Sequence, residues 1–229
     1  MAGFDGFPAD FFDFFAELEL NNERAWFQAN KPRYQAAVVE PMGAFIEAIG
    51  PDLQRISPHY PADPRPHGGS MFRIYRDTRF ARDKSPYKTH AACQFRHSAG
   101  KDAHAPGFYA HFARDGLFFG GGIWRPPGGH LAVIREAIVD NPAAWERLKS
   151  ARPVIERGGI QGDGLQRAPR GFDPEHRHVE DLKRKSFFVM TNAEPALLLR
   201  PELRAAVIEA FRAAAPLNRF VTEALGLPF

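Results

Sequence analysis

The sequence predicts an α+β fold: a mainly antiparallel sheet of about five strands, covered by N-terminal and C-terminal helices. Three observations carry that prediction. Apolar residues recur at helical spacing towards both ends of the chain, period-two alternation occupies the middle, and the links between successive strands are short. Short links favour antiparallel pairing, because a parallel crossover needs a dozen residues or more. The 229 residues fit a single domain over 1–229, long enough to bury a substantial core. Phe occurs 21 times against 5 Tyr and 3 Trp, which favours a packed core over disorder.

Residues 1–56 read as helical. In FPADFFDFFAELEL, Phe11, Phe14, Phe15 and Leu18 share one helical face, and Pro8 to Asp10 supply a start. Asn21 and Asn22 interrupt. Two or three short helices then follow, punctuated by Pro32 and Pro41, with Pro32 suited to a first turn. Residues 57–70, SPHYPADPRPHGGS, hold four prolines and two glycines and read as a loop, the best place for a boundary. A sheet-rich region spans 71–125. Its strands are MFRIYR, THAACQFRH with Ala91, Cys93 and Phe95 on one face, and the two limbs of GFYAHFARDGLFFGGGIW, folded at Arg114-Asp115-Gly116. Residues 126–192 hold two helices, a long loop and a last strand, KSFFVM. A strong helix fills 201–226, with a bend or break near Pro216.

Positive charge is local. Residues 71–102 carry eight basic and three acidic side chains, net +5, against +3 for the whole chain, so the remainder is slightly acidic. Six of the basic residues fall within RIYRDTRFARDKSPYK (73–88). On a strand, Arg76 continues the apolar side of Phe72 and Ile74, where a guanidinium needs a carboxylate or a bound anion. Asp77 and Asp83 are candidate internal partners for Arg79 or Lys84. Residues 81–86 have turn chemistry, which puts Lys84 and Lys88 on a loop held by the sheet.

This charged stretch resembles the signature of domain-of-unknown-function family 2461, found in bacteria and fungi. NNERAWFQANKPRY resembles the family's N-terminal helical signature. GFYAHFARDGLFFGGGIWRP, with Tyr109, Gly121, Gly122 and Trp124, resembles its central hairpin, and APRGFDPEHRHVEDLKRKSFFV, with Asp173, Lys185 and Ser186, its late segment. The resemblance implies a shared fold. It also implies that Arg73, Arg76, Asp77, Arg79, Lys84, Tyr87 and Lys88 act as a unit, and it adds Trp124 and Lys185 to the candidate ligand-binding residues. It carries no reaction and no cofactor.

Other chemistry is weakly signalled. Gly120-Gly121-Gly122 reads as a tight turn beside Trp124, and neither nucleotide-binding glycine motif is present. His90, His97, His104 and His111 recur every seven residues across strands and a loop, which predicts no metal site. Cys93, the single cysteine, reads as an inert core thiol. The N-terminal stretch lacks the pattern of a signal peptide, and no apolar run of membrane-spanning length occurs, so a cytoplasmic protein is expected.

The favoured functional reading is a cationic pocket for a phosphate- or carboxylate-bearing small molecule, centred on Arg76, Arg79, Lys84 and Lys88. If a reaction occurs there, Asp77 and Tyr87 are the candidates to handle a proton. Two alternatives stay open: a nucleic-acid binder in which Tyr75 or Tyr87 stacks a base, and an interaction protein whose charges form an internal ion-pair network.

Overall fold

The computed structural model describes residues 4–100 and 104–229; Lys101 and Asp102, counted above, lie outside the described residues. Among the described residues the sheet has four strands, β1 (Ala91–Arg96), β2 (Gly107–Phe112), β3 (Leu117–Ile123) and β4 (Phe187–Ala193). They lie in the order β1-β2-β3-β4, antiparallel throughout. The α+β class and the helices at both ends hold. The count of about five strands does not.

The missing strand is MFRIYR. After one bridge, Met71 to Cys93, it leaves β1 and pairs with its own return limb through a second bridge, Tyr75 to Tyr87. Arg76 N–H donates to Pro86 O at 2.9 Å and Lys88 N–H to Ile74 O at 2.8 Å. Pro86 has no N–H, so this ladder cannot lengthen. Residues 71–88 therefore form a two-limbed arm at the β1 edge.

The N-terminal helices are α1 (Asp10–Leu20), α2 (Arg24–Ala29), α3 (Lys31–Tyr34) and α4 (Glu40–Ile56). A π-turn at Gln35–Val39 joins α3 to α4 without a gap. Pro41 does not punctuate the chain as expected. It sits early in α4, just past the π-turn, where the wider turn accommodates the hydrogen bond its ring cannot make. Next come α5 (Gly128–Asp140), α6 (Pro142–Lys149) and the short α7 (Arg152–Ile155) and α8 (Val179–Leu182). Last is α9 (Leu203–Ala224), which runs unbroken through Pro216.

One face of the sheet is covered. Cys93, Phe95, Phe108, Phe112, Phe119 and Val189 point to α9 and the N-terminal helices and are buried. Phe7 and Phe45 meet Phe112 at ring distances of 5.3 and 5.2 Å, which joins the helical N-terminus to the sheet. Many of the fully buried Phe side chains lie in this layer. Helix α9 approaches closely at Gly121, where a Cβ would stand 2.6 Å from Asn218 Nδ2 and 3.2 Å from Ala214 Cβ. The Asn218 amide donates to Gly107 O at 3.0 Å, holding helix and sheet together in the core.

Candidate functional site

The other sheet face is open, and its side chains follow from the register. Gln94, Tyr109, Gly120 and Met190 form one row across the four strands; Arg96, Gly107, Gly122 and Phe188 form the next. Glycine therefore occupies three of the four central positions in these two rows. The GGG run is not a turn, as the sequence suggested, but the interior of β3. At Gly122 the φ is +147°, and a Cβ would lie 2.0 Å from Phe187 O. At Gly120 it would lie 2.0 Å from Val189 O. No other residue fits at either position, and beside Gly107 and Gly122 the face opens into a hollow of about 630 Å³.

Aromatic groups wall the hollow: Phe72 from the arm, Tyr109, Phe118, Phe188 and Trp124. Trp124 is 48% exposed, and the Arg125 guanidinium lies 4.9 Å from its ring centroid. Polar groups gather at one end. Tyr109 Oη and His111 Nδ1 are 3.0 Å apart, and the His111 ring stacks on Phe118 at 4.4 Å. The His90 ring lies 4.3 Å from that of His111. Burial, then the neighbouring His111 and Lys88, bring the His90 pKa down to about 4.

Lys88 stands where this hollow meets a smaller one of about 320 Å³ beneath the arm. Its Nζ donates to Arg73 O at 2.9 Å and lies 5.4 Å from the Phe72 ring centroid. Burial, and secondarily the Arg73 charge, push its pKa down. No carboxylate of the described residues lies within ion-pair distance of it.

The rest of the charged signature is largely paired internally. Arg76 binds Asp83, which also accepts from Ser85 Oγ at 2.6 Å. Arg79 makes a two-pronged contact with Asp77 at 3.0 and 2.7 Å. Lys84 Nζ donates to Thr78 O at 2.8 Å. Arg76 does not sit on an apolar sheet face, because the segment is not a regular strand; the arm's own turn brings Asp83 to it. Asp77 is exposed and held at about 2, first by the Arg79 side chain. Tyr87 is buried and stacked on Phe27 at 4.1 Å, its phenol pushed up by burial. Asn22 ties its backbone to the N-terminal helices, donating to Tyr87 O and accepting from Tyr87 N–H, both at 3.0 Å.

Of the sequence candidates, Lys88 and Trp124 line the sheet-face hollow, while Arg76, Tyr87 and Lys88 line the smaller one. Arg73, Asp77, Arg79 and Lys84 stand on the exposed arm. Lys185 lies before β4, its N–H donating to Asp163 O at 2.8 Å, and does not line the hollow.

The sequence pattern described as "Conserved hypothetical protein (DUF2461)" matches residues 10–220. The chain belongs to that family. No curated protein and no solved structure matches it. The match takes in both the charged arm and the open sheet face of this DUF2461 chain.

Sequence reasoning missed His90 and His111 as a pair. Their seven-residue repeat carried no geometric meaning, since His97 meets Pro228 O at 2.8 Å and His104 meets Trp124 O at 3.0 Å elsewhere. Among the described residues no three His, Cys, Asp or Glu side chains gather as metal ligands. The β1–β2 register, rather than the spacing, is what brings the two rings together.

The His90 shift has a measurable consequence. Its pKa is 6.5 unperturbed and about 4 in the fold, so between those values the unfolded chain binds more protons. Stability owed to neutral His90 is full above pH 6.5 and falls as the pH drops towards 4. Replacing His90 by Asn is expected to flatten that part of the acid limb, read from urea midpoints of the two proteins at pH 7, 5 and 4.

Proposed function

We propose that the chain binds a small molecule with a flat, apolar body and an anionic group, the body on the open sheet face and the anionic group at Lys88. One observation carries the reading: a half-buried ammonium without a carboxylate partner faces a hollow in which five aromatic side chains stand and no carboxylate does. A buried cation without a counter-charge is costly, and an anionic ligand relieves that cost. The glycine floor admits a planar group against Tyr109 and Phe188, and Trp124 closes one side. Arg73 supplies further positive potential from the arm. Relative to the sequence reading, the centre moves from the loop charges to Lys88, because Arg76 and Arg79 already hold Asp83 and Asp77.

The test is thermal stabilisation by aromatic carboxylates, aromatic phosphates and neutral analogues, followed by titration calorimetry. Stabilisation confined to the anionic aromatic compounds is expected. Lys88→Ala should weaken their binding by about tenfold or more, as expected for a charge-assisted contact of about 1.5–3 kcal/mol. Neutral analogues binding equally well, or an unchanged affinity in Lys88→Ala, would defeat the proposal.

A second reading is favoured by the exposed aromatics themselves: single-stranded nucleic acid stacked on the sheet face. It predicts oligonucleotide binding that weakens steeply with salt, because counterions are released.

A further inference from the structure

A separate groove runs on the opposite side of the molecule, between the end of α4, α6 and α9, with a volume of about 640 Å³. Its floor is apolar: Ile56, Leu148, Ala215 and Phe220. Its rim is basic. Arg55, Arg147, Arg212 and Arg219 surround it, with Glu223 as the acidic lining residue.

The charges within reach leave this rim positive. Asp52 is shared by three guanidiniums: Arg55 at 2.7 Å, Arg204 at 2.5 Å and Arg212 at 3.8 Å. Glu223 meets Arg219 at 3.5 Å. Arg147 makes no ion pair with any described residue. Four arginines thus line the groove against the single lining carboxylate of Glu223, with Asp52 behind Arg55 and Arg212.

Spacing selects the kind of anion. Arg212 and Arg219 are seven residues apart on α9, about 10 Å along the axis at 1.5 Å per residue. Acidic side chains two turns apart on a partner helix repeat at the same spacing, so each can meet its own arginine. The apolar floor between them suits the leucine-type residues that such a helix presents on the same face. Nucleic acid is disfavoured, since the aromatic faces are engaged: Arg219 lies 4.4 Å from the Phe229 ring centroid, and Phe220 packs on Trp145 at 4.9 Å.

We infer that this groove docks an acidic amphipathic helix of a protein partner, its carboxylates on the arginine rim and its apolar stripe on Ile56, Ala215 and Phe220. The inference does not rest on the sheet-face proposal.

The probe is a fluorescein-labelled synthetic helix with Leu at helical spacing and Glu two turns apart, compared by anisotropy with the same peptide carrying Gln for Glu. Tighter binding of the Glu peptide, by about tenfold, is expected, with an affinity that falls as salt rises. Arg147→Glu should remove most of that preference, and because Arg147 pairs with no carboxylate, the melting temperature should fall only by the few degrees that a reversed charge in the last turn of α6 costs. An Arg147→Lys variant should retain most of it. Equal binding of both peptides, or no change in folded Arg147→Glu, overturns the inference. So does a concentration-dependent dimer abolished by Arg147→Glu, since the occupant is then a second copy. So does displacement of the Glu peptide by a single-stranded oligonucleotide at equal charge.

Discussion

Gly122→Ala is expected to destabilise the fold by about 3–5 kcal/mol, enough to unfold much of a marginally stable domain. Two costs add. The φ of +147° is a conformation that only glycine adopts freely, and the new Cβ would lie 2.0 Å from Phe187 O and 2.5 Å from Phe188 Cα. Those are backbone atoms of β4, so relief requires the β3–β4 pair to separate. Gly128→Ala is the control, because a Cβ there meets nothing within 4 Å. It should change the denaturation midpoint by only a few tenths of a kcal/mol. Equal midpoints for the two variants would mean that the β3–β4 edge yields easily, and that the hollow has no rigid floor.

Loss of Asp181 comes next. This carboxylate is 3% exposed and stands under α6. It accepts from Trp145 Nε1 at 2.9 Å, Lys149 Nζ at 2.9 Å and Arg184 Nε at 3.2 Å. Burial alone would raise its pKa, but Trp145, Lys149 and Arg184 together hold it below the usual carboxylate value. Asp181→Ala strands the buried indole N–H and two cations that have lost their anion, at a cost of about 3 kcal/mol. Urea unfolding of the two proteins, followed by far-ultraviolet circular dichroism, measures it. The sign with pH follows: the pKa is lowered in the fold, so this stabilisation is present above the ordinary carboxylate pKa and is lost as the pH falls through the folded value. The wild type and Asp181→Ala should therefore converge in stability in strong acid.

The strands with clean alternation were legible. Ala91, Cys93 and Phe95 point to the core as their spacing requires, and Arg114-Asp115-Gly116 lies in the β2–β3 turn, where Ala113 N–H meets Gly116 O at 3.0 Å. The α1 stripe of Phe11, Phe14, Phe15 and Leu18 is buried throughout. The arm was not legible, because MFRIYR alternates like a strand yet finds its partner in 86–88, a choice made by Pro86 and by the contact of Asn22 with Tyr87. Local propensity cannot see a partner that lies 65 residues away. The candidate site was legible in half. Positive charge pointed to Lys88 and Arg76, and the signature itself offered Asp77 as a partner for Arg79, but Asp83 takes Arg76 and Lys84 finds only the Thr78 carbonyl. The sheet-face hollow was hidden, because three glycines in succession look the same whether they turn the chain or flatten a strand. Only the register with Gly107 and Met190 distinguishes the two.

At Gly121 the partition between the two sides of the sheet is a single backbone thick. On one side is the hollow; on the other, without an intervening side chain, are Ala214 and the Asn218 amide. Depth on the open side is thereby set from behind. A bulkier group at 214 has no slack to absorb it and displaces the floor outward, so the shape of the hollow answers to residues that never line it. On the proposed function, variants with altered selectivity are expected in the buried stripe of α9 as well as in the visible wall.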